Sequence, residues 1–166
     1  MRASALVFAI ATAVGLAVPF ASPASAASST ACSKLASTTS LNLKAGTGTV
    51  ASSFLSCGTG ALAAGGSSSV TVPIAKITGS LTSKITWNGG KGTTLATEKY
   101  ASQKVLAPCP KGTKYRTLIT GTTGTSTGAA AKVIKKGETI SATVCTTAPS
   151  STKYVSSLLK GTTFKL

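Results

Sequence analysis

The segment Leu81-Thr-Ser-Lys-Ile-Thr-Trp87, followed at once by Asn88-Gly89-Gly90, decides the fold class of this chain. Leu81, Ser83, Ile85 and Trp87 alternate with Thr82, Lys84 and Thr86. A period of two marks a pleated strand with one dry and one wet face. Asn-Gly-Gly tolerates positive φ, so the strand turns back on itself as a hairpin. The same alternation recurs on both sides: Val70, Val72 and Ile74 around Thr71 and Pro73; Ile140, Ala142 and Val144 among Thr139, Ser141 and Thr143; Phe164 and Leu166 around Lys165. Thr and Ser on the wet face suit a half-exposed pleat, because the branched Cβ of Thr is easily placed there. Only Ala129 to Ile134 offers a helical turn. The pattern predicts an all-β domain of about 7 to 9 short antiparallel strands, either a β-sandwich, an immunoglobulin-like one included, or a β-barrel.

The 166-residue sequence begins with what reads as an export signal. Met1 and Arg2 form a positive start, Ala3 to Val18 an apolar run, Pro19 a break, and Ala24, Ser25 and Ala26 the small residues a signal peptidase admits. Residues 1–26 are therefore expected to be removed, leaving one domain over 27–166. The apolar run is shorter than the ~20 residues a membrane helix needs, so no transmembrane segment is expected in the mature chain. A lipid-anchored reading fails too, since Ser29, Thr30 and Ala31 put no branched apolar residue three positions ahead of Cys32. The expected location is secreted, extracellular or cell-wall associated.

All four cysteines, Cys32, Cys57, Cys109 and Cys145, fall in the mature part. An even count in an exported domain without His favours two disulfides over a metal site. Three pairings are open. Cys32 with Cys57 and Cys109 with Cys145 is favoured, because each pair adjoins its own block of strand-like sequence, and the crossed alternatives fit the spacing as well. On the chain-entropy account each loop contributes roughly 3.5 kcal/mol. That matters for a chain with only 27 Leu, Ile, Val and Phe among 140 mature residues, near the level at which a highly charged chain stays disordered.

Lys-Gly-Thr recurs at Lys91 to Thr93, Lys111 to Thr113 and Lys160 to Thr162, with Lys136-Gly137-Glu138-Thr139 as a variant. It lacks the spacing of a phosphate-binding loop and reads as turn chemistry, with Gly at the corner and Thr opening the next strand. Ala61 to Ser69 and Gly121 to Ala131 consist almost wholly of Gly, Ala, Ser and Thr and are expected to be loops.

Composition removes most catalytic chemistry. The chain has no His and, in its mature part, no Asp, so a Ser-His-Asp triad and a His-based metal site are excluded, and no cofactor is implied. Glu98 and Glu138 are the only carboxylic side chains; a glycosidase would need both together, and they read instead as surface charge partners of Lys99 and Lys136. Ser-Lys chemistry lacks any nucleophile-elbow pattern. Trp87, the only Trp, shares the phase of Leu81 and Ile85 and reads as core rather than as a sugar platform. The protein is expected not to be an enzyme.

Charge is the most unusual feature. The formal net charge is +15, and +14 once Arg2 is lost with the signal. Lys111, Lys114 and Arg116 surround Tyr115 in one cluster; Lys132, Lys135 and Lys136 form a second. Both are candidate anion-binding residues for anionic cell-wall polymers or an anionic lipid surface. Specific nucleic-acid recognition is not expected, because 15 of the 16 mature cations are Lys, which lacks the planar fork of Arg.

Two resemblances bear on function. Ala107-Pro-Cys-Pro-Lys111 resembles the reactive loop of the secreted subtilisin-inhibitor family, which would make Lys111 the specificity residue of a serine-protease inhibitor. Gly112 and Thr113 stand where that family has Tyr-Asp-Pro. More broadly, the early Cys, Cys57-Gly58, Ile85 to Gly89, Cys109 to Gly112 and Gly161 to Phe164 are similar to small secreted actinobacterial proteins of two disulfides, β-rich fold and no assigned activity. The expectation is thus a non-enzymatic secreted or envelope-associated protein acting by binding or as a structural component through its Lys-rich surface. A protease inhibitor and a small-ligand carrier are the alternatives, and the oligomeric state is left open.

Overall fold

A computed structural model describes residues 30–58, 60–104 and 108–166. The signal segment lies outside the described residues. Among the described residues nine strands and two single-turn helices follow one another as β1 (Ala31–Asn42), β2 (Thr47–Cys57), β3 (Gly66–Pro73), α1 (Ile74–Ile77), β4 (Ser80–Trp87), β5 (Gly92–Gln103), β6 (Tyr115–Ser126), α2 (Ala130–Val133), β7 (Thr139–Ser150), β8 (Lys153–Leu158) and β9 (Phe164–Lys165).

Every neighbouring pair is antiparallel, and β1 pairs with both β2 and β8, so the first eight strands close on themselves. Of the two expected architectures the barrel is therefore the one adopted, and the sandwich, immunoglobulin-like or otherwise, is not. β9 is a short extra strand that caps one end by pairing Cys32 with Phe164 and Ser141 with Lys165. Among the described residues no helix is long and apolar enough to cross a membrane.

The alternation read in Leu81 to Trp87 holds: Leu81, Ser83, Ile85 and Trp87 are buried while Thr82, Lys84 and Thr86 are exposed. Asn88 to Lys91 make the hairpin turn, with Gly89 and Gly90 at φ of 68° and 67°. The Lys-Gly-Thr glycines Gly92, Gly112 and Gly161 all have positive φ, as turn chemistry requires. Both favoured disulfides are present, Cys32–Cys57 and Cys109–Cys145.

Two expected loops are strand in part, with residues 61–64 and 128–129 forming turns. Gly66 to Ser69 pair with Ala51 to Phe54 on one side, and Gly66 to Ser68 also pair with Ile85 to Trp87 on the other; Gly121 to Ser126 belong to β6. Glycine serves close approach here: a Cβ on Gly121 would lie 2.1 Å from the Thr97 carbonyl oxygen. β3 and β4 pair only over Gly66 with Trp87, Ser67 with Thr86 and Ser68 with Ile85, after which the ladder stops and α1 follows.

One end of the barrel is packed solid. Phe54, Ile85, Trp87, Ile134, Ile140, Phe164 and Leu166 are all at most 2% exposed, and the Phe54 and Phe164 rings lie 4.8 Å apart. Trp87 Nε1 donates to Thr94 Oγ1 at 2.9 Å, which satisfies the one polar atom of that side chain. α2 closes this floor through buried Ala130 and Ile134, held by the Ala130 N–H on the Lys91 carbonyl.

Candidate ligand-binding cavity

Above that floor the inward positions change character. The alternation continues, but inward side chains are now Ser37 and Thr39 on β1, Ser52 on β2, Ser102 on β5, Thr117 on β6, Thr146 on β7 and Ser156 on β8. An eight-stranded barrel has an interior just wide enough for large side chains to fill. Short hydroxyl side chains leave it hollow, with a cavity of about 540 Å³.

The hydroxyls satisfy one another across adjacent strands: Ser52 with Ser37 at 3.0 Å, Ser102 with Thr117 at 2.9 Å, and Thr146 with Ser156 at 2.8 Å. Paired in this way, they line the wall without demanding water or a ligand. Toward the floor Leu35, Ile119 and Val144 make an apolar belt, and Phe54 and Phe164 form the bottom, while Val50 and Leu81 add apolar wall on the side nearer α1. At the other end Leu41, Ile74 and Ile77 face the space, α1 being tied down by the Ile74 N–H on the Gly46 carbonyl at 3.0 Å. Gly48 makes room for α1, since a Cβ there would come within 2.1 Å of Ile77 Cδ1.

Glu98 is not the surface charge partner that its neighbour Lys99 implied. Thr94, Ala96, Glu98 and Tyr100 share the inward phase of β5, so Glu98 is 6% exposed and lines the cavity. Tyr100 Oη donates to Glu98 Oε2 at 2.5 Å. Burial pushes the Glu98 carboxyl above its ordinary value, and the hydrogen bond from Tyr100 offsets part of that rise. Burial first, then the charge and hydrogen bond of Glu98, push the Tyr100 phenol far above its own ordinary value. All three tyrosines of the chain, Tyr100, Tyr115 and Tyr154, line this one cavity, and among the described residues no Lys or Arg does. Glu138 does not line it either; its carboxylate oxygens are buried without a hydrogen-bond partner among the described residues.

A raised carboxyl pKa means that the folded state holds the proton more tightly than the unfolded chain. The stability from Glu98 is therefore complete below pH 4.5, its ordinary value, and is lost as pH rises through the folded-state pKa. Glu98→Gln should raise the ligand-free unfolding temperature at pH 7 and leave it nearly unchanged at pH 4. Equal shifts in thermal scans at the two pH values would contradict this.

The six candidate cations do not gather on one patch. Lys111, Lys114 and Arg116 precede or open β6, whereas Lys132, Lys135 and Lys136 lie on α2 and just after it, beyond the far end of that strand. Lys135 Nζ donates to the Ala131 and Lys132 carbonyls at 3.0 and 3.2 Å, and Arg116 Nη2 to Gln103 Oε1 at 3.0 Å. Lys111 is exposed, in a turn closed by the Thr113 N–H on the Pro110 carbonyl at 3.2 Å, with Gly112 at φ 91°. Among the described residues no three His, Cys, Asp or Glu side chains gather to hold a metal ion.

The cavity has only a faint signature in the sequence. On β1, β6 and β8 Ser or Thr stands on both faces and Leu118 and Val155 point outward, so the period of two is blurred; the phase of Ala96 and Tyr100 was the one signal that placed Glu98 inside. Compared with protein-family models, curated proteins and solved structures, the chain matches none.

Proposed function

We propose that the protein is an exported, non-enzymatic carrier that encloses one small ligand of mainly apolar body in the barrel lumen. The observation that carries this reading is the hollow itself, about 540 Å³ with an apolar belt and a few convergent polar groups. Small-molecule sites typically span about 300 to 1,000 Å³ and have this mixture of lining. The two disulfides accord with an oxidising compartment. The scattered lysines keep the molecule dissolved and add a diffuse attraction for anionic wall polymers or lipid headgroups. The inhibitor alternative draws less support, because Lys111 sits in a tight turn rather than in the extended segment that a strand-pairing cleft takes up.

The test is titration with a neutral, environment-sensitive apolar fluorophore. Saturable uptake of one molecule per chain is expected, and at a hundredfold excess over Kd the unfolding free energy rises by about 2.7 kcal/mol. Emission that grows without saturating, or no gain in thermal stability, removes the carrier reading.

A further inference from the structure

We infer that the cavity selects an amphipathic organic cation, with its apolar body on the deep belt and its ammonium group against Glu98 and the tyrosines. The inference rests on the carrier reading and names the ligand class. Charge is sorted sharply in this molecule: of the 16 basic side chains among the described residues none lines the cavity, while one of only two carboxylic side chains does. Among the described residues Glu98 has one hydrogen-bond partner there, the neutral Tyr100 hydroxyl. A buried carboxylate without a countercharge is costly, and a ligand ammonium supplies the missing charge.

The tyrosines point the same way. Three of three line one cavity, two of them, Tyr115 and Tyr154, from the strand ends nearest the opening that α1 adjoins. Aromatic faces attract cations, and groups of such rings are a recurring means of holding quaternary and protonated amines. A carboxylate ligand would instead meet Glu98 with like charge and find no cation to pair with inside.

Chain-matched decylammonium, decanol and decanoate, each titrated calorimetrically into the disulfide-intact protein, test this. The net charge of the chain opposes the cation and favours the anion in solution, so an ammonium preference would have to come from the cavity. Decylammonium should bind at least ten times more tightly than decanol, and decanoate more weakly than either. Glu98→Gln should weaken decylammonium tenfold or more and leave decanol within twofold; Tyr154→Leu should weaken decylammonium in the same selective way. Decanol or decanoate binding as tightly as decylammonium, or an ammonium affinity unmoved by Glu98→Gln, overturns the inference and leaves the carrier reading standing. Failure of all three to bind removes both.

Discussion

Trp87→Ala is expected to lower the unfolding free energy by about 3 to 5 kcal/mol, the cost of deleting a large buried aromatic. Small domains hold about 5 to 15 kcal/mol in all, so this one change removes a large share. The effect is concentrated there because only half of the barrel is filled. Trp87 is 1% exposed, its ring lies against the Gly66 backbone, and its indole N–H occupies Thr94 Oγ1, which also bonds Ser126 Oγ at 3.1 Å. Trp87→Phe keeps most of the ring and loses the hydrogen bond, for about 1 to 2 kcal/mol. Urea titrations followed by far-ultraviolet circular dichroism give both values, since the only Trp cannot report on its own removal. A loss below about 1 kcal/mol for the alanine variant would mean that the packed floor is not what holds the barrel together.

The second large effect is on binding. Ser37→Phe combined with Thr117→Phe projects two phenyl rings into the lumen from β1 and β6, well apart around its circumference. Ligand affinity should fall by about a hundredfold or more, two decades corresponding to about 2.7 kcal/mol. Added bulk usually destabilises a filled core by about 1 to 3 kcal/mol, but this space is unoccupied by side chains, and the hydroxyls left behind stay accessible, Ser52 half-buried and Ser102 exposed. The unfolding temperature should thus hold or rise while fluorophore uptake disappears. Undiminished uptake in the doubly substituted protein would place the bound probe elsewhere on the molecule.

Legibility of the fold tracked the contrast between the two faces of each strand. Leu81 to Trp87 and Ile140 to Val144 set apolar residues against hydroxyls and were readable in full. Ser67, Ser68 and Ser69 offer no contrast, so a paired strand looked like a linker, although Gly66 and Gly121 sit where backbones approach closely. Choosing barrel over sandwich depended on β1 meeting β8, a pairing across more than a hundred residues that no local pattern encodes. The cavity was hidden for the same reason as its wall strands: hydroxyls facing the lumen resemble hydroxyls facing water. Leu95 added to the confusion by standing outside, 41% exposed and packed over Gly124, beside inward-facing Thr94 and Ala96.

The short ladder between β3 and β4 gives the barrel one loose stave. Both sulfur links brace other arcs of the wall: Cys32–Cys57 ties β1 to β2, and Cys109–Cys145 ties the segment before β6 to β7. Local opening is cheapest where the fewest backbone bonds must break, and here that is the flank beside α1. On the carrier reading, a guest would exchange through this flank with both sulfur rivets of the cask left intact, so that entry would not require the barrel to unfold.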